Sequence, residues 1–249
     1  MKLDRCCRTT IVMIAAGLFL PGDAKARQAA EPYRPVTDER LENPEPENWL
    51  FYRGTYDGWG YSPLDQIDAD NVADLVPVWS FSTGVNSGHE APAIVNDGVM
   101  FVTTPGNQVI AIDARTGDLI WLYEHEMPED VIGFHYTNRG VALFGDKVFM
   151  ATLDARIVAL DAATGEVVWS ESVADNSSGY YMTLAPLTAR GKVMVGVSGG
   201  ELGIRGFVVA LDTETGEEVW RTHTVPSPGE PGSESWQGDA WQTGGAAVW

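Results

Sequence analysis

Apolar and polar positions along the chain recur with a long period. Residues 109–121, 157–169 and 208–220 each run as an apolar stretch ending in Asp, a polar turn closing on Thr-Gly, and a second apolar stretch ending in Trp. The tryptophans, Trp121, Trp169 and Trp220, fall 48 and 51 residues apart. Each copy predicts a β-hairpin, with the glycine supplying the left-handed conformation that a tight turn needs. A period of about 40 to 50 residues with about four short strands predicts an all-β chain folded as a β-propeller of four-stranded antiparallel blades. The recurring tryptophans are then docking residues between blades, and function is left to loops and inner strands.

A second regularity lies upstream of each hairpin. Apolar stretches at 90–94, 139–143 and 183–187 open the three blades and place Glu90, Arg139 and Thr183 at equivalent entrances. If the opening strand is innermost, the three converge at one end of a central channel; otherwise they are ordinary strand-end polar residues. The third blade departs from the repeat. From the middle strand to the repeat Asp, Val99 to Asp113 is 14 residues and Val148 to Asp161 is 13, but Val193 to Asp212 is 19. The excess is an excursion within 198–206, which holds four glycines and one carboxylate, Glu201. Its glycines permit close backbone approach, and a plain scaffold has no use for it.

Ahead of the blades, residues 27–48 are polar and proline-bearing and predict an extended arm, with order beginning near 49–51. A short capped helical turn is expected at 70–75, a strand at 76–81, and the first full blade after Gly88. Past the loop at 225–236, residues 244–249 read as a further opening strand. About three blades and a lead-in are fewer than the four or more that close a ring, so the chain reads as an incomplete arc, the front part of a longer protein.

Composition adds an address. Lys2, Arg5 and Arg8 precede an apolar run at 11–20, and Ala24-Lys25-Ala26 follows. This pattern predicts a cleaved secretory signal peptide over 1–26, because the run is well short of the roughly 20 residues that span a bilayer. Both cysteines, Cys6 and Cys7, lie inside that leader and are assigned no function. The leader carries four basic and two acidic side chains, so its removal takes the formal charge from -19 to -21. An acidic surface of this size argues against nucleic acid and anionic membrane as partners. It suits a basic protein partner, or simply solubility.

From Trp49 to Trp249 the chain resembles the pyrroloquinoline quinone-dependent alcohol dehydrogenases, in their N-terminal part. The carriers are Tyr61-Ser62-Pro63-Leu64-Asp65-Gln66-Ile67, Asn71-Val72, Trp79, Thr83-Gly84 and Gly88-His89-Glu90, then Asn138-Arg139-Gly140 and Thr183-Leu184-Ala185-Pro186. Ser198-Gly199-Gly200-Glu201-Leu202-Gly203 and Gly238-Asp239-Ala240-Trp241 complete the ordered set. Full-length relatives are eight-bladed. The resemblance implies that Glu201 ligates a metal ion, calcium or a lanthanide. It further implies that Glu90, Arg139, Thr183, Ser198, Gly199 and Gly200 contact the quinone, with Trp249 as the floor beneath it. Oxygen ligands suit a hard cation, which acts as a Lewis acid on a quinone carbonyl, and Arg139 suits negative charge on the reduced ring.

The same resemblance implies a periplasmic enzyme that oxidises a small alcohol to the aldehyde, passes electrons to a cytochrome c, and is open to homodimerisation. The carboxylate base and a further metal ligand are expected beyond Trp249, so no catalytic residue falls within this chain, and residues 1–249 alone are expected to be inactive. One departure stands out: where many relatives carry adjacent cysteines forming a ring disulfide, this chain has Gly133 and Phe134. Phe134 is expected to cover the quinone face instead. His89 and His135 read as structural, and Met150, Met182 and Met194 as core. The alternative reading is a non-catalytic periplasmic propeller that scaffolds outer-membrane assembly.

Overall fold

The computed structural model describes residues 33–86 and 88–248. The leader expected over 1–26, the first residues of the arm and Trp249 lie outside the described residues. Among the described residues no helix is long and apolar enough to cross a membrane.

Three antiparallel meanders of four strands each follow one another along the chain. Blade 1 holds β1 (Ile94–Asn96), β2 (Val99–Thr104), β3 (Gln108–Asp113) and β4 (Leu119–Glu124). Blade 2 holds β5 (Val141–Phe144), β6 (Lys147–Ala151), β7 (Arg156–Asp161) and β8 (Val167–Ser172). Blade 3 holds β9 (Leu187–Ala189), β10 (Lys192–Gly196), β11 (Phe207–Asp212) and β12 (Glu218–His223). The opening strands of blades 2 and 3, β5 and β9, lie beside each other. These strands are therefore the inner ones, and β4, β8 and β12 form the rim.

The middle strands are buried on both faces, as blades stacked on either side require. One apolar cluster, including Ile94, Phe101, Trp121, Leu143 and Val148, fills the space between blades 1 and 2. A second, including Phe149, Trp169, Val195, Phe207 and Val209, fills that between blades 2 and 3. The repeated Thr-Gly turn has a definite part in this. Trp121 Nε1 donates to the Ala162 carbonyl at 3.0 Å, and its ring lies so close to Gly165 that a Cβ there would stand 2.7 Å from it. Trp169 donates to the Thr213 carbonyl at 3.1 Å and covers Gly216 in the same way. Each blade thus sets its last tryptophan on the turn of the next. In every blade that tryptophan pairs with an alanine beside a register shift, Ala111, Ala159 or Ala210.

Two expectations for the lead-in need correction. The strand expected at 76–81 is not formed, because no described strand runs alongside to supply a ladder, and Val76 and Val78 are exposed. Trp79 nevertheless donates to the Ala114 carbonyl at 3.0 Å and covers Gly117, taking on blade 1 the seat that Trp121 takes on blade 2. The arm, expected to be extended as far as Asn48, is packed from Val36 onward. Val36 exchanges backbone hydrogen bonds with Gly145 at 2.8 and 2.7 Å, and Thr37 caps the short helix α1 (Asp38–Glu42). Val36, Leu41 and Leu50 are buried in the first cluster. Three apolar residues so far apart make no period, yet each reaches the seam between blades 1 and 2. The polar side of the arm is held by Arg40, itself buried, which donates to Glu45 at 2.9 Å and to Asn96 Oδ1 at 2.9 Å. The bonds from Arg40 foremost lower the Glu45 pKa to about 2.

The helical turn expected at 70–75 is present as a 3-10 turn, Val72–Asp74.

Candidate functional site

The three blade entrances converge. Asn138 is fully buried and donates to the Ala151 carbonyl at 3.0 Å, while its Oδ1 accepts from Gly140 N at 3.0 Å. This staple fixes the backbone on either side of Arg139. Arg139 N in turn donates to the Thr183 carbonyl at 3.1 Å, tying the second entrance to the third. The guanidinium spans all three blades: Nη1 donates to Thr183 Oγ1 at 2.7 Å, and Nη2 pairs with Glu90 Oε2 at 2.8 Å. Planar, forked and always charged, arginine suits this bridging position.

The excursion brings the remaining residues. It leaves β10 and returns as β11, with a 3-10 turn at Gly200–Leu202 between them. Ser198 N donates to the Tyr181 carbonyl at 2.8 Å, and its hydroxyl lies 3.4 Å from Thr183 Oγ1. Gly199 adopts φ 105, and a Cβ there would collide with the Gly179 carbonyl, so glycine is required. Glu201 stands on the exposed side of the turn and accepts from the Tyr181 hydroxyl at 2.5 Å. That bond, first among the causes, lowers the Glu201 pKa. Burial foremost, and then the carboxylate, push the Tyr181 phenol up to about 12.

Glu90, Arg139, Thr183, Ser198, Gly199 and Glu201 share one cavity of 470 Å³, together with His135, Tyr181 and Ala247. Such a volume lies in the ordinary range for small-molecule sites. Gly200 is not in the wall; it starts the 3-10 turn and backs onto Ala247, where a Cβ would meet that side chain at 3.4 Å. Trp249, expected as a floor, lies outside the described residues. Phe134, expected as a ceiling, is 60% exposed and does not line the cavity. Its neighbour His135, expected to be structural, does line it. Tyr181 was missed; it stands two residues before Thr183 in an extended segment and so shares its face. Among the described residues no three His, Cys, Asp or Glu side chains group to hold a metal ion; the wall's two carboxylates are Glu90, paired with Arg139, and Glu201.

The comparisons with known proteins agree with this arrangement. Residues 49–249 match the family described as "PQQ: Glucose/ethanol/alcohol dehydrogenase, beta-propeller domain". The chain belongs to the quinoprotein alcohol dehydrogenase family. It is 39% identical to quinoprotein alcohol dehydrogenase PedH of Pseudomonas putida, over 96% of this chain and 42% of that protein. It is 42% identical to quinohemoprotein alcohol dehydrogenase ADH-IIG of Pseudomonas putida, over 82% of this chain and 31% of the relative. Among solved structures, a europium-containing methanol dehydrogenase superposes with a TM-score of 0.78 at 36% identity, covering 85% of this chain and 41% of that one. The chain thus spans less than half the length of these relatives.

For a quinoprotein the donor set is apt. Arg139 offers fixed positive charge to an anionic ring, the Thr183 and Ser198 hydroxyls can donate or accept, and Glu201 offers hard oxygen to a cation. A larger cavity of 620 Å³ also has Arg139 in its wall. Its lining is apolar, with Leu184, Pro186, Met194 and Val208 among the wall residues and Arg139 the one charged residue described there. Offering no carboxylate, it suits a packing partner better than a cation.

Proposed function

We propose that this chain forms the cofactor- and metal-holding wall of a periplasmic quinoprotein dehydrogenase that oxidises an alcohol to the aldehyde. The observation that carries the reading is the meeting of Arg139, Thr183, Ser198 and Glu201 in one cavity from two blades and an excursion. Pyrroloquinoline quinone, when bound, supplies a two-electron acceptor for the hydride of the alcohol, and a calcium or lanthanide ion supplies Lewis acidity.

The residues of the chain do the rest. Thr183 and Glu90 pin the Arg139 guanidinium in advance of ligand, so little reorganisation is needed when it meets negative charge. Ser198 and Thr183 supply hydroxyls beside it. Glu201, which accepts a hydrogen bond from Tyr181, presents a carboxylate to the cation. The proton-accepting base is assigned to sequence beyond Trp249, and the chain is assigned to the front of a longer polypeptide. Its 42% coverage of a full relative and the partly exposed Trp220, at 38%, support that assignment.

Export rests on the leader at 1–26, and a basic cytochrome c as electron acceptor on the formal charge, -19 for the whole chain and -21 once the leader is removed. Homodimerisation is an assignment by analogy with the family alone. The scaffold alternative leaves the Arg139 bridge and the Glu201 turn without a purpose. The test is to reconstitute the full-length polypeptide with pyrroloquinoline quinone and calcium or a lanthanide, following quinone absorbance and reduction of a dye by a primary alcohol. Uptake and turnover are expected of it, and no turnover of residues 1–249 alone. Failure of the full-length protein to take up quinone would leave only the scaffold.

A further inference from the structure

Glu201 sits on a weak support. Its 3-10 turn is three residues long and flanked by Gly199 and Gly203, both in the left-handed region at φ 105 and 73. A carboxylate on such a turn has no rigid strand or helix to aim it. Among the described residues its one side-chain hydrogen-bond partner is the Tyr181 hydroxyl, at 2.5 Å. Tyr181 is by contrast firmly held: it is 2% exposed, and its ring packs where a Cβ on Gly133 would stand 3.6 Å away. Its backbone carbonyl also takes the Ser198 N–H at 2.8 Å. One residue therefore grips the excursion at two points, Ser198 at its start and Glu201 at its tip.

We propose that Tyr181 is a positioning residue for the metal ion, its buried hydroxyl orienting the Glu201 carboxylate toward the cavity and setting the affinity for a hard cation. The inference rests on Glu201 being the metal ligand of the proposed enzyme. A hydrogen bond from a fixed donor to one carboxylate oxygen removes rotational freedom that a cation would otherwise have to freeze. Partners of this kind typically contribute about 10- to 100-fold in metal affinity. The phenol ring itself fills the space beside Gly133, so replacing only the hydroxyl separates orientation from packing.

The experiment uses the full-length polypeptide without quinone and terbium(III) as the probe, with dissociation constants from calorimetry. Three proteins are compared: wild type, Tyr181→Phe and Glu201→Gln. Expected are a loss of affinity of about 10-fold or more in Tyr181→Phe, near abolition in Glu201→Gln, and an unfolding midpoint of metal-free Tyr181→Phe close to wild type. The terbium luminescence lifetime in H₂O and D₂O counts metal-bound water, and Tyr181→Phe should hold more of it. Wild-type affinity and hydration in Tyr181→Phe, with Glu201→Gln defective, would overturn the inference and leave the proposed function standing. Absence of terbium binding by wild type, or equal binding by Glu201→Gln, would remove both.

Discussion

At the rim, Trp121 and Trp169 occupy seats of one make, each giving an indole N–H to a carbonyl of the next blade and lying over its turn glycine. At the axis no two blades present the same residue: Glu90, Arg139 and Thr183 stand at equivalent entrances with unlike chemistry, and the third blade adds an excursion. The rim residues bury apolar surface and order the sheets. The axial ones range from buried Thr183 to exposed Glu90 and are held by hydrogen bonds and an ion pair across blades. Repetition in this chain marks what stabilises, and breaks in repetition mark what binds.

That contrast predicts a ranking of effects. Trp169→Ala should destabilise by about 3–5 kcal/mol, as loss of a buried large aromatic does, read as a shift in denaturant midpoint at constant slope. Gly165→Ala should follow at about 2 kcal/mol, since alanine must adopt φ 77 with its Cβ against the Trp121 ring. Arg139→Gln should invert the pattern: quinone affinity of the full-length protein falls about 10-fold or more with the loss of charge-assisted bonds, while stability changes by under about 1 kcal/mol. A large stability loss there would erase the division between rim and axis.

A pH titration probes the arm that packs on the seam between blades 1 and 2. The Glu45 carboxyl is lowered from 4.5 to about 2 by its bonds from Arg40. Because the folded value lies below the unfolded one, its stabilisation is complete above about 4.5 and is lost as the pH falls toward 2. Glu45→Gln should be less stable than wild type at neutral pH, and the difference should shrink across that window; a constant difference would refute the assignment. The smallest effect belongs to Trp220→Ala in this chain, under about 1 kcal/mol, since that indole is 38% exposed. Equal losses from Trp220→Ala and Trp169→Ala would show that the seat on the following blade contributes nothing.

Hairpins, turn glycines and blade entrances were legible because period and turn chemistry are local properties. The convergence of Glu90, Arg139 and Thr183 followed once the opening strand was placed innermost, and the excursion announced itself as an excess of residues. The arm was not legible, because Val36, Leu41 and Leu50 are too far apart to make a pattern and are buried only by two blades that come later in the chain. The strand expected at 76–81 had the right composition and lacked a neighbour to pair with. Tyr181 escaped notice for a related reason: its part depends on Glu201, 20 residues away, and on the gap left by a glycine at 133. Phe134 was the aromatic in view, but it lies outside the cavity, and its exposed neighbour His135 lines the wall instead.

The habit of each sheet of seating its final indole on its successor gives the molecule a direction. The carbonyl that seats each indole lies 41 or 44 residues further along the chain, so a sheet completed on its own would leave its last tryptophan bare. Sheets formed in chain order would hand over one exposed aromatic at a time instead of leaving many in the open at once.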